Sequence, residues 1–264
     1  MVVDKNAVIA NKVVSPKDYS RIVDTMFIDL TGSYIAKDQL MILDMLYNNN
    51  WKRPIYYAIS VGADKYLSLD KYFQLEGLAY RIVPILSTTG GYQRGSENSD
   101  IMYDNIMNKF RWGGVKIKGV YVDENNRRML TNMRNNFQRL GEALLREGKK
   151  DKCIKVLDKC FEEIPADKVP YDYFSVQIAK TYLNAGEKEK TIQLIRNMSK
   201  EFSDELKYFY SFNPSEYASF DEEIRSSLYF MNELQSIAEK TGDTALASQI
   251  KTTFEKYYNQ LLEK

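Results

Sequence analysis

Between Phe137 and Pro165, the residues Phe137, Leu140, Gly141, Leu144, Gly148, Cys153, Leu157, Cys160 and Pro165 fall at the spacing of a two-helix repeat. Each has a mechanical duty. Phe137 and the Leu140–Gly141 pair let two helices approach, Gly148 opens the turn between them, and Pro165 stops the second helix. Such a unit buries its apolar face only by stacking on further units. The feature constrains this part of the chain to a helical array and argues for binding or scaffolding rather than catalysis.

A second copy follows at about 172–203, with Ile178, Ala179, Tyr182, Gly186, Thr191, Ile195 and Met198 in the same slots. The pattern is that of the tetratricopeptide repeat, whose usual period is about 34 residues. The step from Gly148 to Gly186 is 38 residues, and the extra length fits the turn from Pro165 to Pro170. A third helix pair, 222–262, turns at Gly242 and keeps Leu234, Ala238 and Ala247 in register; it reads as a degenerate cap. Asp204–Phe220, aromatic and polar, is longer than a turn between pairs needs.

Before residue 125 the sequence is turn-rich and strand-like, so the expected fold class is α+β. A small mixed sheet domain with helices, 1–125, precedes an all-α tetratricopeptide-like domain, 126–264, with units at about 134–167, 172–203 and 222–262. The spacing predicts a helix over Ile35–Asn48 and another over Asp100–Phe110, capped by Ser99 or Asp100. Strands are expected at Pro54–Ser60, Leu78–Ile85 and the alternating Val115–Val122. Ser87–Ser99, with Gly90, Gly91 and Gly95, reads as a mobile loop that lacks the spacing of a phosphate-binding turn.

Lys and Arg total 37 against 36 acidic residues, so no excess positive charge is available for a nucleic-acid backbone, and no nucleic-acid partner is expected. No apolar run approaches the roughly 20 residues of a membrane-spanning helix. The first residues look unlike a mature amino terminus, and a longer parent is expected. The chain has no histidine, which removes the commonest general base near neutral pH and the commonest nitrogen ligand for zinc. No catalytic residue, no metal and no cofactor is expected. Cys153 and Cys160, seven apart on a helix, lie about 10 Å apart along its axis, too far for a disulfide, and read as packed thiols.

Two residue groups remain as candidates. Asp64, Asp70, Glu76, Asp123 and Glu124 lie near the expected strand ends and could in principle supply an acid–base pair; solvated loop carboxylates explain them more simply. The aromatics Trp51, Tyr56, Tyr57, Tyr66, Tyr72, Phe73 and Tyr80 gather in about 30 residues, as a stacking face or as core. In the repeats the concave groove is built mainly by first helices, so Arg134, Gln138, Arg139, Gln177 and Lys180 are the candidates for contact with an extended peptide.

Asn49–Ala58 (NNWKRPIYYA) and Asp64–Pro84 (DKYLSLDKYFQLEGLAYRIVP) are specific in wording. Together they resemble the carboxy-terminal soluble part of a bacterial family of multi-spanning membrane proteins of unknown function, related to protein O-mannosyltransferases and often carrying tetratricopeptide repeats. The segments carried over are Trp51, Arg53, Pro54, Ile55 and Tyr56, and Gly77, Leu78, Ala79, Tyr80 and Arg81, none with an assigned role. The resemblance implies a preceding membrane region of the lipid-linked-sugar glycosyltransferase type. That region would hold the catalytic carboxylate and attach this part to the periplasmic side of the cytoplasmic membrane.

The leading expectation is an extracytoplasmic accessory domain that is not catalytic by itself and binds an acceptor polypeptide or protein partner, with a glycan or glycosylation acceptor as a second ligand class. A free-standing tetratricopeptide scaffold for complex assembly is the alternative. A solitary glycan-cleaving enzyme using the loop carboxylates is the third.

Overall fold

The computed structural model describes residues 1–30, 34–87, 93–213, 216 and 218–262. The chain divides into two compact units, 1–110 and 111–264. The fold class is α+β: a small four-stranded mixed sheet near the amino terminus, then a helical region.

In the first unit, α1 (Lys5–Ala10) starts at Asp4, whose side chain accepts the Ala7 N–H. It was not expected from the sequence. Helix α2 (Lys37–Asn49) answers the predicted helix, and Asn50 after it takes a left-handed conformation that ends it. Strands β1 (Tyr56–Ala58), β2 (Phe73–Leu75), β3 (Ala79–Ile82) and β4 (Ser96–Glu97) lie in the order β1-β3-β2-β4. β3 is antiparallel to both β1 and β2, and β4 runs parallel to β2. Helix α3 (Ser99–Asp104) is capped by Asn98, not by Ser99 or Asp100, and continues into one π-helical turn, Asn105–Lys109.

The sequence reading needs three corrections here. Pro54–Ser60 and Leu78–Ile85 each contain a strand, but Val115–Val122 contains none. That segment runs through turns, entered from the left-handed Gly113 and Gly114 and broken at the left-handed Gly119 within it. β2 was missed, since Phe73–Leu75 is buried without alternation and gives no period-two signal. Ser87–Ser99 is not one loop: Thr88–Tyr92 lie outside the described residues, whereas Ser96 and Glu97 form β4.

The sheet has two unlike faces, because successive side chains point to opposite sides. The register Tyr57↔Tyr80↔Leu75, with Phe73↔Ile82, makes an apolar face. Tyr57 meets Tyr66 edge-on at 5.6 Å between ring centroids, and Tyr80 stacks on Phe73 at 5.1 Å. Val8, Met26, Trp51, Leu69, Tyr72 and Val83 complete this core.

The second unit is built from α4 (Glu124–Arg146), α5 (Lys150–Glu163), α6 (Tyr173–Asn184), α7 (Lys188–Phe209), α8 (Asp221–Thr241) and α9 (Thr244–Leu262). They form three helical hairpins. Gly148, Gly186 and Gly242 open the three turns with φ of 73°, 78° and 78°, a conformation that favours glycine. First helices pack on the next first helices, α4 on α6 and α6 on α8. At Gly141 a Cβ would lie 2.6 Å from Leu157 Cδ2, so any larger residue must displace the Leu157 side chain where α4 and α5 meet. Residues 111–123 go with this unit because Trp112 packs on Phe137, with ring centroids 5.0 Å apart. The Asp204–Phe220 segment begins as helix: α7 runs on to Phe209.

Candidate functional site

The polar face of the sheet collects residues from both quoted segments. The register Tyr56↔Arg81↔Gln74 sets one residue each from β1, β3 and β2 in a row, and β4 adds Ser96 opposite Gln74. Glu76, two residues beyond Gln74, shares that face and is 5% exposed. Tyr56 donates its phenol to Glu76 Oε2 at 2.7 Å, while Arg81 lies 3.6 Å from Oε1. Asn105 donates to the Glu76 carbonyl at 2.7 Å, and Asn98 donates to Gln74 Oε1 at 3.3 Å. The Tyr56 phenol is pushed up to about 12, first by partial burial and then by its bond to the Glu76 carboxylate. It therefore stays protonated and donating across the physiological range, although its residue is 46% exposed.

Around this cluster the other segment residues have structural work. Gly77 takes φ 127°, and a Cβ there would meet the Phe110 ring at 2.7 Å. Trp51 and Tyr57 are core residues, and burial also pushes the Tyr57 phenol up to about 12. Asn49 grips the Arg53 backbone at both ends, through Arg53 N–H (3.1 Å) and Arg53 C=O (2.6 Å). The Arg53 and Pro54 side chains are exposed. The structure thus brings Tyr56 and Arg81 together with Glu76, and separates them from Trp51 and Tyr80, which serve the opposite face.

The other candidate carboxylates do not join this cluster. Asp64 and Asp70 line a polar cavity of about 220 Å³ with Tyr66, Ser68 and Arg94. Asp123 caps α4 through the Asn126 N–H at 2.8 Å, and Glu124 sits in the first turn of that helix. Among the described residues, no three of Cys, Asp and Glu are grouped to hold a metal ion.

In the helical unit the first-helix candidates divide. Arg134 is 0% exposed, and Gln138 and Arg139 are also buried, which corrects their reading as groove residues. Arg134 donates to the carbonyls of Val169 (2.9 Å) and Pro170 (2.8 Å) and pairs with Asp172 at 2.9 Å. It holds the connection between α5 and α6, where a buried charge needs that many acceptors. Gln177 and Lys180 are partly exposed on α6, and Lys180 pairs with Glu233 of α8. Cys153 and Cys160 are free and buried, and burial pushes their thiols up to about 11 and about 12. They are packed thiols with little thiolate at neutral pH.

The sequence reading also missed two features. A groove of about 640 Å³ runs between α7 and α9 over Met231, Leu246 and Ile250. Tyr173 and Tyr229 stand exposed on α6 and α8; their equal offset of thirteen residues from the turn glycines Gly186 and Gly242 was the signal available in the sequence.

No described helix is long and apolar enough to cross a membrane. No curated protein and no solved structure matches the chain. Residues 1–101, nearly the whole of the sheet-bearing unit, match the family model described as TMEM260-associated domain 2, a family linked to a transmembrane protein.

Proposed function

We propose that this chain is an accessory domain of a membrane protein of the lipid-linked-sugar glycosyltransferase type, related to protein O-mannosyltransferases. It stands on the periplasmic side of the cytoplasmic membrane. The sheet unit belongs beside the membrane region, and the helical hairpins are tetratricopeptide repeats that hold an acceptor polypeptide or protein partner near an active site located elsewhere. The chain does not transfer sugar by itself.

One observation carries this reading: a match to a membrane-protein-associated domain over residues 1–101, followed by three hairpins with left-handed glycine at each turn. The arrangement of the two quoted segments as the adjacent strands β1 and β3 supports treating them as one unit. The buried Cys thiols and the enclosed Glu76 favour a binding role over chemistry within the chain.

The test is the complete reading frame around this sequence, followed by pull-down of the parent's own glycosylated proteins. Several membrane-spanning helices encoded upstream, with acceptor proteins retained by the helical unit, is the expected result. A frame without spanning helices would sink the membrane assignment and leave the free-standing scaffold, which the hairpin stack alone also supports.

A further inference from the structure

The first helices of the second and third hairpins carry the same dipeptide at the same place. Tyr173–Phe174 in α6 and Tyr229–Phe230 in α8 each lie thirteen and twelve residues before the turn glycine of their hairpin. Both tyrosines are about half exposed, at 47% and 50%. Each ring meets the ring of its following phenylalanine edge-on, at 5.6 Å and 5.7 Å between centroids. The phenylalanine thus props the tyrosine while leaving a face to solvent. α6 and α8 pack directly on each other, and Lys180, seven residues beyond Tyr173 on the same face of α6, is tied to Glu233 of α8.

The charge around Tyr229 has one sign to spare. Lys180 is neutralised by Glu233, and Arg225 by Asp221 at 2.6 Å. Arg134 and Arg139 are buried and offer no charge to a ligand. Beside Tyr229 and Phe230 lies an open cavity of about 480 Å³, lined by the mutually paired Arg225 and Asp221 and by Glu222 from two turns earlier on the same face of α8, which leaves its lining with one net negative charge. An exposed ring beside a spare carboxylate at Tyr229, and a matching exposed ring at Tyr173, suit cationic side chains, which are drawn to the negative face of a ring.

Resting on the polypeptide-holding role proposed above, we infer that the face of α6 and α8 binds an extended, polyproline-like segment carrying a Lys or Arg at every third residue, one cation over Tyr173 and the next over Tyr229. The spacing follows from geometry. Packed helices lie about 8–10 Å apart, and a polyproline II segment advances about 9 Å in three residues while returning to the same face.

The test titrates the 264-residue chain into three fluorescein-labelled peptides of about 15 residues, long enough at about 3.1 Å per residue to cross both helices. Their repeats are Lys-Pro-Ser, Gln-Pro-Ser and Glu-Pro-Ser. The Lys peptide binds most tightly and the Glu peptide least. Tyr173→Ala and Tyr229→Ala each weaken the Lys peptide roughly two- to five-fold, as expected for an exposed cation–ring contact. The Tyr→Phe variants retain binding, because the ring and not the hydroxyl makes the contact, and circular dichroism checks that every variant keeps its helices. Equal binding of all three peptides, or binding indifferent to both alanine variants, overturns this inference and leaves the polypeptide-holding role standing. Failure of all three peptides to bind, while acceptor proteins are retained in the pull-down, also overturns it alone; failure of both experiments removes the role itself.

Discussion

Arg134 of the helical unit is buried and Arg81 of the sheet unit half-buried, and the two are held in different ways. Arg134 of the helical unit is wholly enclosed, and both its terminal nitrogens donate to carbonyls and a carboxylate from the segment Val169–Asp172, while its Nε is left without an acceptor. Arg81 of the sheet unit keeps some contact with water and faces a single buried carboxylate, Glu76, at 3.6 Å. Arg134 stitches one hairpin to the next and is a structural rivet between near neighbours in a repeating array. Arg81 belongs to a cluster whose members come from three strands and a helix end, brought together only by sheet register. The helical unit is therefore assembled from repeated local rules, the sheet unit from singular contacts.

The sharpest way to break this contrast is to remove the rivet. Arg134→Ala leaves Asp172 and two carbonyls without their donor and should cost about 3–5 kcal/mol, the usual penalty for breaking a buried ion pair. In urea denaturation followed by helical circular dichroism, the loss appears as an earlier transition. A cost below about 1 kcal/mol would mean that water replaces the guanidinium and that the burial of Arg134 does not hold the hairpins.

In the sheet unit Tyr56→Phe removes one hydrogen bond to a charged acceptor. The expected cost is about 1 kcal/mol, at the low end for such bonds because the ring stands partly in water. Tyrosine absorbance gives a second readout: the high-pH phenolate titration of the wild-type protein should contain a late component, near pH 12, that diminishes in the variant. Its persistence would assign that component to Tyr57 alone.

The smallest effect concerns Glu205 on α7, whose carboxylate is pushed above its ordinary value by burial and by Glu201 one turn away, and accepts a bond from Ser227 of α8 at 3.0 Å. A raised folded-state value means that the favourable contribution is complete below the ordinary carboxylate range and fades as pH rises through the folded value. Glu205→Gln keeps an acceptor for Ser227 and drops the charge. The variant should be slightly more stable than wild type at pH 7, with the advantage shrinking toward pH 4. Identical stability profiles would show that the half-buried carboxylate is well solvated.

The turn glycines Gly148, Gly186 and Gly242 and the close approach at Gly141 were legible in the sequence because each is a local requirement: a left-handed turn, or the absence of a Cβ between packed helices. The split into sheet and helical parts was legible for the same reason, since hydrophobic period is a local property. The pairing of the two quoted segments was not. Tyr56 and Arg81 are 25 residues apart, and nothing in either segment states which strand neighbours which. Val115–Val122 misled because alternation is necessary for a half-exposed strand but not sufficient; left-handed glycines before it and at Gly119 within it turn it into a string of bends.

Sequence alone determined the paired helices, their glycine turns and the small packed thiols, because these follow from residue type and spacing along one helix pair. Tertiary structure decided which polar residues are available. Arg134 and Arg139 are themselves expected groove positions on a first helix, yet both are buried, and the connection from Pro165 to Asp172 folds over Arg134 and binds its guanidinium. Tyr173 and Tyr229, unremarked in the sequence, are left facing water. Exposure depends on what other segments cover, and that is a property of the assembled stack rather than of any one helix.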